Sequence, residues 1–155
     1  MNIFLEKIVI DEAEELYKMQ VKAFWDLYEK YQDTETSPAT EGVDKTLMRL
    51  NQPFTYYYYV KKDNTKVGAI RVVDRLDGTP KRISPIFIMP EYRNKGFAQR
   101  AIMLAEEIHG SSNWELDTIM QEKAICYLYE KMGYHQTGKT KKVNENLTLV
   151  FYKKD

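Results

Sequence analysis

Residues 82–110, RISPIFIMPEYRNKGFAQRAIMLAEEIHG, constrain the fold more than any other stretch. Ile83-Ser-Pro-Ile-Phe-Ile88 is a short apolar run rich in β-branched and aromatic side chains, the pattern of a buried strand. Met89-Pro90-Glu91-Tyr92 interrupts it. From Phe97 the apolar residues fall at 97, 101, 104, 105 and 108, which puts one apolar face on a helix that His109-Gly110 stops. The unit is therefore strand, glycine-bearing loop, helix. The first N–H groups of such a helix have no partner within it and point at whatever faces the loop. The helix dipole and the charges of Arg93, Lys95 and Arg100 favour an anion there, phosphate above all. A glycine at position 96 lets the ligand come close to the backbone.

The flanking sequence extends this unit into a layered domain. Ile3–Ile10 reads as a first strand, and Asp11–Tyr31 as a helix with Asp11 as N-cap. A short helix, Val43–Leu50, precedes strands Thr55–Lys61 and Val67–Asp74, and Asp77-Gly78-Thr79 is a second hairpin turn. Tyr56 to Tyr59 should alternate between the two faces of their strand. After the central unit come a strand at Asn113–Ile119, a helix at Glu122–Met132 closed by Gly133, and strands Tyr134–Thr140 and Leu147–Tyr152. A strand–helix–strand step of this length implies a right-handed crossover and parallel pairing. The expectation is an α/β fold of the α+β type: one domain, residues 1–155, with a mixed, mostly antiparallel sheet of about seven strands, one parallel step and about four flanking helices.

Charge and composition narrow the function. Lys+Arg and Asp+Glu both total 23, so the formal charge is zero and the footprint of a nucleic-acid or anionic-membrane binder is missing. Cys126 is the only cysteine, which excludes an internal disulfide and fits a reducing compartment. The first residues lack the shape of a signal peptide, and no apolar run is long enough to span a bilayer. The expected location is cytoplasmic. No His, Cys and Asp fall at metal-ligand spacing, so no metal is expected. His109 and His135 read as structural.

Arg93, Gly96 and Ala98 match the Arg/Gln-x-x-Gly-x-Gly/Ala pattern, and the segment resembles the acyl-CoA-binding motif of the GNAT N-acetyltransferase superfamily. Leu128-Tyr129-Glu130-Lys131-Met132-Gly133-Tyr134 is similar to the end of the last helix in that family. The resemblance implies acetyl-CoA as co-substrate, held by Ile86, Ile88, Arg93, Asn94, Lys95, Gly96, Phe97 and Ala98. It implies Tyr129 as the acid beside the leaving sulfur. A phenol, with its pKa of about 10, stays protonated at neutral pH and can donate there.

Two positions depart from the family pattern. Gln121 or Glu122 stands where many members have an Asn on the pantetheine arm, and Arg82 stands where many place a basic Glu. Asp117, near the end of the parallel strand, is then the candidate base, with Glu122, Asp74 or bulk water as alternatives. The resemblance implies transfer to a primary amine of a small molecule or peptide; the oligomeric state stays open between monomer and homodimer, the aromatic-rich composition being compatible with a dimer. The alternatives are a CoA-binding regulatory or sensor module without transfer activity, and a loop that binds some other phosphate ligand. In such a fold Phe24, Tyr28 and Tyr31 would wall the acceptor site, and Asp33, Glu35 and Glu41 in the polar stretch 32–42 would draw in a cationic amine.

Overall fold

The computed structural model describes residues 2–155. Its strands are β1 (Ile3–Lys7), β2 (Thr55–Lys62), β3 (Thr65–Val73), β4 (Lys81–Ile88), β5 (Trp114–Ile119), β6 (His135–Asn144) and β7 (Leu147–Lys154). Its helices are α1 (Ala13–Tyr31), α2 (Val43–Asn51), α3 (Phe97–His109) and α4 (Lys123–Lys131). The strands form one sheet in the order β1-β2-β3-β4-β5-β7-β6, antiparallel throughout except for β4 and β5. This is the mixed sheet with one parallel step that the sequence predicts.

Both faces of the sheet are covered. On one, Ile70, Val72, Ile83 and Trp114 pack with Phe97, Ala101, Ile102 and Ala105 of α3 and with Cys126 and Tyr129 of α4. On the other, Tyr57, Tyr59, Ala69 and Phe87 pack with Leu16 and Ala23 of α1. The tyrosine run of β2 divides as a pleated strand requires, with Tyr58 in the first cluster and Tyr57 and Tyr59 in the second.

Two N-terminal expectations need correction. β1 stops at Lys7, and Ile10–Glu12 form a single 3₁₀ turn, so Asp11 is not the N-cap of α1. Glu12 takes that position, and its side chain turns back so that Oε1 accepts from the Val9 N–H at 3.1 Å. Along α1 the buried stripe is Ala13, Leu16, Gln20, Ala23 and Tyr31, with a polar residue at its centre. Tyr17, Val21 and Trp25 border an outward groove instead.

Candidate active site

The parallel pairing is short. Lys81 faces Trp114 and Arg82 faces Glu115, and among the described residues no further pair joins β4 to β5. Beyond that point the strands part, leaving one edge of β4 without a neighbour. Alternation decides which groups line the gap. The Met89 N–H bonds Val67 across β3 at 2.8 Å, and Ala69 lies opposite Phe87. Residues 87 and 89 thus turn to β3, and the N–H groups of Ile86 and Ile88 turn to the open edge. The side chain of Arg82 forks across the hinge, 3.3 Å from Glu115 and 3.1 Å from Asp117.

At the end of β4 the chain makes one 3₁₀ turn, Pro90–Tyr92, and enters α3 through Asn94 (φ 63°) and Gly96 (φ 81°). The left-handed conformation is one reason for a glycine at 96, and the space a Cβ would enter there is open to beyond 4 Å. Among the described residues, no acceptor meets the backbone N–H groups of residues 94–99; the first bond of this turn runs from Arg100 to the Gly96 carbonyl, at 3.1 Å. Asn94, Lys95, Gly96, Phe97 and Ala98, the loop positions that the motif points to, therefore offer a row of free donors at the mouth of a helix.

Arg93 is used differently. Its Nε donates to the Ile88 carbonyl at 3.1 Å, Nη2 to the Ala23 carbonyl at 2.5 Å, and Nη1 to Asp26 at 2.9 Å. The side chain ties α1 to the root of the loop.

Tyr129, on α4, lies in the core on the α3 side of the sheet, with Tyr134 edge-on at 5.8 Å and Tyr152 tilted at 6.3 Å. Burial first, and then the Asp117 charge, push its phenol well above the usual value, so it is held protonated. Asp117 stands on β5 in the ion pair with Arg82. The alternatives are committed to the protein: Glu122 accepts from Lys30 at 2.8 Å and from the Tyr31 hydroxyl, and Asp74 accepts from His109 Nδ1 at 3.0 Å. The Tyr58 hydroxyl completes the Asp74–His109 chain at 3.0 Å from Nε2. Asp74 sits at the Arg82 end of the strands, roughly 20 Å along β3 from the level of Ile88, while Tyr58 stands opposite Ile70. Gln121 Oε1 accepts from the Thr148 N–H at 3.1 Å.

Of the three aromatic residues expected to wall the acceptor site, Phe24 and Tyr28 are partly exposed. Phe24 packs edge-on against Phe87 at 5.7 Å, and Tyr31 is buried. Asp33 caps its own loop, accepting from the N–H groups of Glu35 (2.9 Å) and Thr36 (2.8 Å). Glu41 is clamped by Arg49, and Glu35 reaches Lys141 at 3.4 Å. Asn144, at the end of β6, donates to the Tyr31 carbonyl at 3.0 Å, which brings the β6–β7 hairpin over the end of α1. Sequence reasoning missed Gln20, Arg49 and Arg71, which form polar ground under α1 and α2. Their signal was present: Gln20 interrupts an apolar helix stripe, and Arg71 interrupts an apolar strand.

A model of the acetyltransferase (GNAT) family matches residues 17–134. No curated protein matches the sequence significantly. Among solved structures, the chain is similar to the PaiA N-acetyltransferase of Thermoplasma acidophilum in complex with coenzyme A (TM-score 0.71, 16% identity, 100% of both chains covered). It is similar to spermidine N-acetyltransferase of Vibrio cholerae, in complex with CoA and spermine (TM-score 0.74, 14% identity, 97% of this chain and 93% of that one). A third is the ribosomal-protein-S18-alanine N-acetyltransferase of Escherichia coli (TM-score 0.73, 10% identity, 97% and 92%). Among the described residues no helix is long and apolar enough to cross a membrane, and no group of side chains is placed to hold a metal ion.

Proposed function

We propose, for a chain that belongs to the GNAT acetyltransferase family and is an acyltransferase, that it uses acetyl-CoA and moves the acetyl group directly to a primary amine. The observation that carries this reading is the row of unpartnered N–H groups at residues 94–99, beside an open strand edge bearing the N–H groups of Ile86 and Ile88. The residues fit the co-substrate: the loop donors and the positive end of α3 suit a diphosphate, and the strand-edge donors suit the amide-bearing arm. Acetyl-CoA supplies the acetyl group as a thioester. Donors fixed along β4 would steady negative charge developing on the carbonyl oxygen.

Tyr129, kept protonated by burial, would donate to the departing sulfur. Thiols are more acidic than phenols, so the help is hydrogen bonding more than full proton transfer. Asp117 is the proposed proton acceptor. Its carboxylate is paired with Arg82, and it would take the proton that the amine sheds after attack on the thioester.

Titration calorimetry with acetyl-CoA tests the site. Gly96→Glu places a carboxylate in the open space before the loop and should lower affinity at least about 100-fold, by charge repulsion and lost donors together. The left-handed φ makes this variant less stable as well, by roughly 1–2 kcal/mol. Gly96→Asn, which tolerates that conformation and adds no charge, separates the two effects. Unchanged binding by Gly96→Glu would move the site elsewhere. The sensor reading draws on Arg82, whose charge occupies the hinge of the gap; sustained thiol release with any amine removes it.

A further inference from the structure

Arg71 stands alone in the apolar strand Val67-Gly-Ala-Ile-Arg-Val-Val73. Ile70 and Val72 enter the α3 side of the core, so the pleat turns Arg71 to the α1 side. The guanidinium is half-buried between β4 and the end of α2. Nη1 donates to the Ser84 carbonyl at 2.5 Å and Nη2 to Gln52 Oε1 at 3.3 Å, while Nε is buried without a partner. A charge withdrawn from water normally brings a counterion with it. Among the described residues none is in contact with Arg71. The carboxylate close enough to act on it through space is Glu41. Both Glu41 oxygens are taken, by Arg49 at 2.7 and 2.9 Å and by Gln20 Nε2 at 3.0 Å. Burial, and then the neighbouring Arg49 charge, draw the Arg71 pKa down to about 10.

Under α1 and α2, then, two guanidinium groups share one carboxylate. Across β4 the balance is reversed. Trp114 and Leu116 belong to the α3 side, which puts Glu115 and Asp117 on the same face as Arg71, and Arg82 alone lies between them. The floor of this face thus has a positive end on β3 and a negative end on β5, two strands away and, where β4 and β5 have parted, more than about 10 Å apart at the backbone. A polycation has little to hold it at the first end, because the carboxylates of Asp33, Glu35 and Glu41 already have partners.

We propose that the acceptor is an amine carrying its own carboxylate, an amino acid or a derivative of one, whose carboxylate is bound by Arg71 while its amine lies toward Asp117. This rests on the transfer reading above and gives that site its substrate class. Arg71 is a specificity residue; it takes no part in bond making.

The test is thiol release from acetyl-CoA by the full chain, comparing the standard L-amino acids with their carboxamides, and adding O-phosphoethanolamine and spermidine. The acids should exceed their amides by about 10- to 100-fold in kcat/KM, the range of a charge-assisted contact. Arg71→Gln should abolish that difference through KM, with acetyl-CoA affinity unchanged. Because the comparison of acids with amides is made on the unaltered protein, it stands even if the variant folds poorly. Equal use of amides, a preference for spermidine or for the phosphate-bearing amine, or no turnover of any amino acid by protein that binds acetyl-CoA overturns the proposal. Failure to bind acetyl-CoA overturns the transfer reading itself, and this one with it.

Discussion

Arg93 separates two accounts of the loop. The motif reading places a positive charge near phosphate; the structure spends the guanidinium on the protein. Two of its bonds run to half-buried carbonyls, those of Ile88 and Ala23. At the low end of the charge-assisted range they contribute about 1.5 kcal/mol each. The Asp26 pair, whose carboxylate is mostly exposed, adds under about 1 kcal/mol. Arg93→Ala should therefore lose about 3 kcal/mol of stability, roughly 6–12 °C in Tm for a chain this size. Arg93→Lys keeps the charge but cannot fork to three acceptors, so it should lose most of the same amount. Acetyl-CoA affinity should fall less than about tenfold in both, through loosening of the loop alone. Thermal melts and calorimetry on the pair decide it. An unchanged Tm for Arg93→Ala, with binding about 100-fold weaker and restored in Arg93→Lys, would place the guanidinium on phosphate and refute the structural role.

Two further outcomes follow from single groups. Tyr129→Phe should reduce kcat about 10- to 100-fold in a thiol-release assay; equal rates would remove the phenol from the chemistry. Its acetyl-CoA affinity and Tm should hold, because the ring packing stays intact. Glu122 gives a pH signature: burial opposes its charge, but hydrogen bonds from Lys30 and Tyr31 prevail and hold the carboxyl below its usual value near 4.5. A depressed folded pKa contributes stability above the unfolded value, and that stability is lost as pH falls through the folded one. The Tm advantage of the native chain over Glu122→Gln should thus shrink between about pH 5 and pH 3, and a constant difference would show that the contact carries no linkage.

The sequence carried the fold because its punctuation is local. Gly78, Gly96, Gly110 and Gly133 all take positive φ at turns or helix ends, and periodicity located every strand within a few residues. The start of α1 is harder to read because Asp11 and Glu12 are both acidic residues suited to a first turn, and it is the 3₁₀ turn closed between Val9 and Glu12 that sets the helix to open after Glu12. Site details were less legible for a related reason. A motif names the loop but not the partner of each side chain, and Arg93, Glu41 and Glu122 find theirs on other elements. What remained readable were the exceptions: a Gln in an apolar stripe and an Arg in an apolar strand.

The short pairing of β4 with β5 also has a mechanical meaning. Two legs of one sheet meet at residues 81–82 and 114–115, with the Arg82 fork and the Lys81 ammonium, held to the Ser112 carbonyl at 2.8 Å, as the rivet. Like a drafting compass, such a joint turns a small rotation at the pivot into a larger change of span at the tips, where Ile88 and Ile119 stand. Selection for a wider or narrower jaw could then act on residues that never touch either reactant.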